Sequence, residues 1–178
     1  MYEVELKVAA EHGPVRERLA TLGAERTRQA RQTDTYYDAP HRSFADTDEA
    51  LRVRQEVEEG EETVKLTYKG PLIDSESKSR REHETTVEDP NALRGILEGL
   101  GFTPAYTVEK DRTFYRYDGY TITLDDVRDL GTFVEVEREA ERVEPAREGA
   151  VAVLERLDLD PTAQIRTSYL GLLLDTLE

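Results

Sequence analysis

Seven stretches of this chain set charged or hydroxyl-bearing side chains two residues apart, most of them with an aliphatic or aromatic one between. The first spans Tyr2 to Val8, where Glu3, Glu5 and Lys7 alternate with Val4, Leu6 and Val8. A period of two residues is that of a β-strand, so the two carboxylates and the ammonium share one face and the aliphatic groups the other. The same period sets Arg52 with Arg54, Lys65 with Thr67 and Lys69, and Glu82 with Glu84. It recurs in Lys110 with Arg112, Thr121 with Thr123 and Asp125, and Glu135 with Glu137. Between them stand Leu51, Val53, Val64, Leu66, Tyr68, Ile122, Leu124, Val134 and Val136. For any one of these strands, a polar face turned to water is the ordinary explanation.

Helical segments make that explanation hard to hold for all of them together. Val15, Leu19 and Leu22 predict a short amphipathic helix stopped at Gly23. Asp89-Pro90-Asn91 opens another, with Leu93, Ile96, Leu97 and Leu100 on one face. Two more are expected at about Pro145 to Leu157 and Arg166 to Leu177. Their apolar faces need cover, and the only large apolar surface on offer is the aliphatic face of the strands. Turn signals at Gly60, Asp118-Gly119 and Asp129 to Gly131 join the strands as hairpins, hence antiparallel, and the polar run Asp74 to Ser79 reads as a mobile loop. We therefore expect an α+β chain, a single domain over residues 1–178. Its core is an eight-stranded antiparallel sheet closed into a barrel, with helices packed outside and at the C-terminus. The charged faces then line the lumen. Buried charge without a partner is too costly to be idle, so such a lumen implies a charged ligand. Arginines and lysines beside carboxylates suit a polyphosphate with its divalent cations.

Composition narrows the classes. A formal net charge of −15 argues against a nucleic-acid or anionic-membrane partner. The absence of cysteine excludes disulfides and thiolate metal sites. No signal-peptide, transmembrane or lipidation pattern is read, so a cytoplasmic protein is expected. Only five of the 24 basic residues are lysine, namely Lys7, Lys65, Lys69, Lys78 and Lys110. A carboxylate-rich, lysine-poor surface suggests a halophilic source, with stability against unfolding rising in concentrated salt; full stability in dilute buffer would count against it.

Glu3, Glu5 and Lys7 at the extreme N-terminus resemble the Glu-x-Glu-x-Lys signature of the CYTH superfamily, the triphosphate tunnel metalloenzymes. The resemblance continues through Asp34-Thr35-Tyr36-Tyr37-Asp38, Leu51 to Arg54, Leu66 to Pro71, Lys110 to Arg112, Leu124 to Val127, Leu130 to Glu137 and Ser168-Tyr169. Its wording is most similar to the class IV adenylyl cyclase branch. The resemblance implies one or two Mg²⁺ or Mn²⁺ ions on Glu3, Glu5, Glu135 and Glu137, with Asp125 and Glu84. It also implies a triphosphate cradled by Arg52, Arg54, Lys69, Lys110 and Arg112, with Lys65 on the same face. Lys7 beside Tyr36 is similar to the pair that orients or deprotonates the attacking water in hydrolytic members, though Lys7 also suits a phosphate ligand.

Two reactions fit the implied tunnel. A cyclase converts ATP to cyclic AMP and pyrophosphate. A triphosphatase hydrolyses tripolyphosphate, thiamine triphosphate or a nucleoside triphosphate. A non-catalytic polyphosphate-binding module is a third reading. Arg166 is the candidate for a basic C-terminal residue used by some hydrolytic members, and relatives imply a homodimer.

Overall fold

The computed structural model describes residues 1–177. The chain runs β1 (Tyr2–Ala9), α1 (His12–Leu22), β2 (Glu25–Asp38), α2 (Phe44–Thr47), β3 (Ala50–Glu58), β4 (Glu61–Lys69) and β5 (Lys78–Thr86). It continues α3 (Pro90–Gly99), β6 (Thr103–Tyr117), β7 (Tyr120–Val127), β8 (Gly131–Ala140), α4 (Val143–Arg156), a 3₁₀ turn (Pro161–Ala163) and α5 (Tyr169–Thr176). The eight strands close into one antiparallel barrel in the order β1-β5-β4-β3-β2-β6-β7-β8, with β8 pairing back onto β1. The expected closed α+β barrel is therefore present.

Local chemistry explains the tight joints. Glu59-Gly60 between β3 and β4 and Asp118-Gly119 between β6 and β7 both hold two consecutive residues at positive φ. That geometry matches the right-handed twist of the flanking strands, and glycine takes its half at no steric cost. Helix α3 starts where Asp89 accepts a hydrogen bond from the Ala92 amide, with Pro90 in the first turn.

The aliphatic faces of β1, β7 and β8 are covered from outside by α1 and α4. Leu6, Val8, Ile122, Leu124, Val134 and Val136 pack there against Val15, Leu19, Val153 and Leu154. Each such side chain taken out of water contributes about 1.5–3 kcal/mol. A smaller cluster of Val108, Val127, Phe133, Tyr169 and Leu173 seats α5. Cover is not uniform. On α3 only Leu97 is buried, while Ile96 and the capping Leu100 stay exposed. The outer face of β3 is half-open, with Leu51 and Val53 only partly buried and Val57 exposed. Helices thus sheathe one side of the barrel rather than all of it. Burying the aliphatic faces of β1, β7 and β8 suffices to turn their charged faces inward, and closure of the sheet does the rest.

Tyr120 links barrel to sheath. Its ring is buried and its hydroxyl donates to the Ala146 carbonyl of α4 at 2.8 Å. A Cβ at Gly149 would lie 2.9 Å from Tyr120 Cζ and closer still to its oxygen. We expect Gly149→Ala to destabilise the fold by about 1–3 kcal/mol, the usual cost of overpacking, despite alanine's better helix propensity. A thermal midpoint equal to or above the parent's would show that α4 can shift off the barrel.

Candidate active site

The register of β1 on β8 does most of the construction. Glu5 stands opposite Glu137, and Lys7 opposite Glu135. Carboxylates directly across a strand pair repel, so this arrangement costs stability in the free protein. Oxygens of Glu3, Glu5 and Glu137 come within 4.8 Å of one another. Burial and the neighbouring Glu135 push Glu5 up to about 7. Burial and Glu3, with Glu5 and Glu135, push Glu137 up to about 8. Burial would raise Glu3 too, but Lys69, at 3.0 Å, together with Lys78 outweighs it and holds Glu3 at about 2.

These acids form one wall of a cavity of about 540 Å³ whose other wall carries Arg52, Arg54, Lys69, Lys110 and Arg112. Of the residues expected in the site, Glu3, Glu5, Glu84, Glu135, Glu137, Tyr36 and Lys65 line it as well. Glu84 lies apart from the acid cluster, accepting from Thr67 at 2.9 Å and facing Arg52 and Lys65 at 3.8 and 3.7 Å. Glu135 is held by Arg112 at 2.9 Å. Asp125 and Lys7 sit behind the wall. Arg112 grips Asp125 with two bonds of 2.6 Å, and the Tyr169 hydroxyl donates to the same carboxylate at 2.6 Å. The Lys7 ammonium is fully buried, makes no hydrogen bond among the described residues, and lies 4.2 Å from the centre of the Tyr169 ring. Burial and Lys78 pull it down to about 7. Its ring neighbour is thus Tyr169 of α5, whereas Tyr36 lines the cavity from β2.

Four participants escaped sequence reasoning. Asp34 is completely buried and accepts from Arg54 at 2.7 and 2.9 Å and from Lys110 at 2.9 Å. Its signal was available, because Asp34 shares a face with Tyr36 and pairs in register with Arg54. Glu82, on the same face as Glu84, reaches Lys69 at 3.5 Å. Tyr169 stood in a recognised block without a role. Lys78 enters the cavity with its ammonium 3.6 Å from Glu5. It was hidden by the polar run around it, which reads as loop. That run is tied down, with Ser77 and Ser79 fully buried.

The acid cluster fits a hard divalent cation. All its donors are carboxylate oxygens, and one buried Glu5 oxygen has no hydrogen-bond partner among the described residues. Binding must strip protons from Glu5 and Glu137, so Mg²⁺ or Mn²⁺ affinity should rise with pH between about 6 and 9. Calorimetry in two buffers of different ionisation enthalpy should report net proton release near neutrality. Binding without release would mean that both carboxylates are already ionised.

No helix among the described residues is long and apolar enough to cross a membrane. The CYTH domain family matches residues 1–169. A Methanocaldococcus jannaschii protein named "Putative adenylate cyclase" is 36% identical over 176 residues, covering 97% of this chain and 98% of that one. A solved Pyrococcus horikoshii OT3 structure superposes with a TM-score of 0.91 at 38% identity, covering 98% of this chain and 99% of the other. A Hippeastrum protein described as having a dominant triphosphatase activity shares the fold, with a TM-score of 0.71 at 17% identity, covering 98% and 95% of the two chains. A barrel whose first and last strands pair to set their glutamates side by side in a cavity with basic residues, matched over nearly its whole length, belongs to the CYTH domain family.

Proposed function

We propose that this chain is a Mg²⁺- or Mn²⁺-dependent enzyme acting on a triphosphate held in the barrel, and that its reaction is that of a class IV adenylyl cyclase. The reading rests on one observation: three clustered carboxylates and five cations line a single cavity. Neither wall alone would select a polyphosphate. Glu3, Glu5 and Glu137 would hold the ion, with Glu135 beside them. When bound, the ion would supply positive charge that offsets the charge of the phosphate groups.

The protein's own part is positioning and charge neutralisation. Arg52, Arg54, Lys69, Lys110 and Arg112 would take the phosphate oxygens, with Lys65 at the far end. Arg54 and Arg112 commit Nε and Nη2 to Asp34, Asp125 and Glu135, so they would offer phosphate their remaining nitrogens and their charge. In the cyclase reaction the ribose 3′-oxygen attacks the α-phosphorus while the bond to the bridging oxygen breaks, and pyrophosphate leaves. Tyr36, which lines the cavity, would serve as a proton-handling or phosphate-orienting group, and Lys7, buried behind the lining, would support it through its charge.

The two ends of the cavity differ, which favours a substrate with an organic group over inorganic tripolyphosphate. Where β2 ends and β3 begins, the lining sets the rings and side chains of Tyr36, Phe44, Tyr106, Leu170 and Leu174 beside the carboxylates of Asp38, Asp48 and Glu49. At the opposite end it is Arg28, Gln32, Glu56, Lys65 and Glu84 around Phe114. The first end carries more rings and aliphatic groups than the second, which suits a base or other planar ring there, and the volume lies within the roughly 300–1,000 Å³ of sites for organic ligands. The same cradle also fits hydrolysis, since the Tyr36 hydroxyl makes no hydrogen bond within the described residues and faces the cavity.

Incubation with ATP, thiamine triphosphate and tripolyphosphate in Mg²⁺ or Mn²⁺, followed by product separation, tests the reading. Cyclic AMP with pyrophosphate supports the cyclase; orthophosphate supports the triphosphatase. Metal-dependent binding without turnover of any of the three would leave a binding module and sink the enzyme. We further propose that the chain works as one tunnel unit in the cytoplasm, as a homodimer, and that its acidic surface suits concentrated salt.

A further inference from the structure

We infer that Lys78 is a phosphate-binding residue of the tunnel and that Arg166, outside the tunnel, is the residue that positions it. The inference rests on the triphosphate reading and adds to it. Residues 70–77, between β4 and β5, form neither helix nor strand. Lys78 is the first residue of β5, and Glu5↔Lys78 is the last register pair of the short β1–β5 ladder. Strand ends fray, so a lysine there has no intrinsic reason to stay in one place.

What holds it comes from the C-terminal segment. Arg166 donates from Nε to the Ser77 carbonyl at 3.0 Å and from Nη2 to the Asp74 carbonyl at 2.5 Å. Gln164 donates to the Glu76 carbonyl at 2.6 Å. Arg147 of α4 adds ion pairs to Asp74 and Glu76 at 3.1 and 2.9 Å. Within the turn, Ser77 donates to Asp74 at 2.6 Å. The same three-residue segment also holds the neighbouring strand, because the Ile165 amide donates to the Lys7 carbonyl at 2.7 Å. Residues 164–166 therefore bolt the 74–77 turn to the end of β1.

The consequence is read at the ammonium. With the turn fixed, Lys78 is nine-tenths buried and directed into the cavity, 3.6 Å from Glu5. A cation there sits between the acid cluster and the space for phosphate. It can pair with Glu5 in the free protein and with a phosphate oxygen once an ion has claimed that carboxylate. Arg166 itself does not line the cavity, and its two bonded nitrogens face main-chain carbonyls. It is accordingly no phosphate ligand, although its position in the sequence made it a candidate for one.

A double-mutant cycle separates positioning from mere structural support. Tripolyphosphate, which has no organic group, is titrated with Mn²⁺ into the parent, Lys78→Ala, Arg166→Ala and the double variant, with a thermal midpoint for each. We expect each single change to weaken binding about 10-fold, as befits one charge-assisted bond, and the double to bind no worse than Lys78→Ala. Arg166→Lys should not rescue, because an ammonium cannot bridge two carbonyls in a fixed fork. Unchanged affinity in Arg166→Ala, or losses that multiply in the double, would overturn the inference. If Arg166→Ala does not fold, the cycle is run with Gln164→Ala, which removes one bond of the same clamp. Failure of the parent to bind tripolyphosphate or ATP overturns the triphosphate reading and the inference with it.

Discussion

Glu5→Gln is expected to lower turnover of the triphosphate by more than about 100-fold while leaving the thermal midpoint unchanged or raised. Groups that merely orient metal ligands cost about 10–100-fold when removed, and Glu5 lies at the centre of the proposed ligand set. The stability half follows from its environment. Burial and Glu135 push Glu5 up to about 7, so its ionised form is disfavoured in the free fold. For a group raised in this way, the contribution is fully present below the ordinary carboxylate range and is lost as pH rises through about 7. Above that pH the parent carries a buried repulsive charge, and glutamine keeps the shape without it. The variant should therefore melt no lower than the parent at about pH 8, and added Mg²⁺ should stabilise the parent alone. A variant that loses both stability and turnover would mark Glu5 as a structural partner of Lys78, not a metal ligand.

Asp34→Ala should be the costliest single change to the free protein, at about 3–5 kcal/mol, the usual penalty for removing one partner of a buried ion pair. In a chain of this length that lowers the midpoint by roughly 6–20 °C. The two cations left behind respond differently. Burial, with Arg54 and Arg112 nearby, already pulls Lys110 down to about 7 despite Asp34, so it can shed its proton. Arg54 cannot, and among the described residues Asp34 is its only bidentate partner. The same change should tighten triphosphate binding, because Asp34 competes with phosphate for both cations. Saturating tripolyphosphate should then raise the midpoint of Asp34→Ala by more than that of the parent. A loss below about 1 kcal/mol would show that water in the tunnel already solvates the guanidinium.

The elements were legible to a degree that reflects their chemistry. Period-two alternation placed β1, β3, β4, β7 and β8, because a strand buried on both faces by different chemistries cannot change its order of residues without turning charge outward. The acid cluster was legible for the same reason, with Glu3, Glu5 and Glu137 at the positions alternation assigned them. Lys78 and Arg166 were not, since a turn held by side chains 88 to 92 residues away leaves no local pattern. Glu84 and Glu135 share the face of the cluster's members, yet the first sits well along β5 and the second is held by Arg112. Distance along a strand and competition between partners are three-dimensional quantities.

Residue order by itself determined that this protein closes a sheet with its charges inward, since period-two faces and apolar helices leave few other ways to bury carbon and satisfy charge. Only the tertiary structure decided which charges meet. Register set Glu5 against Glu137, the pairing of β2 with β3 and β6 put Asp34 between Arg54 and Lys110, and the C-terminal segment tied down the turn that leads into Lys78. Alternation is a property of neighbours along the chain, whereas a salt bridge is set by distances of a few ångströms between strands that no local pattern encodes.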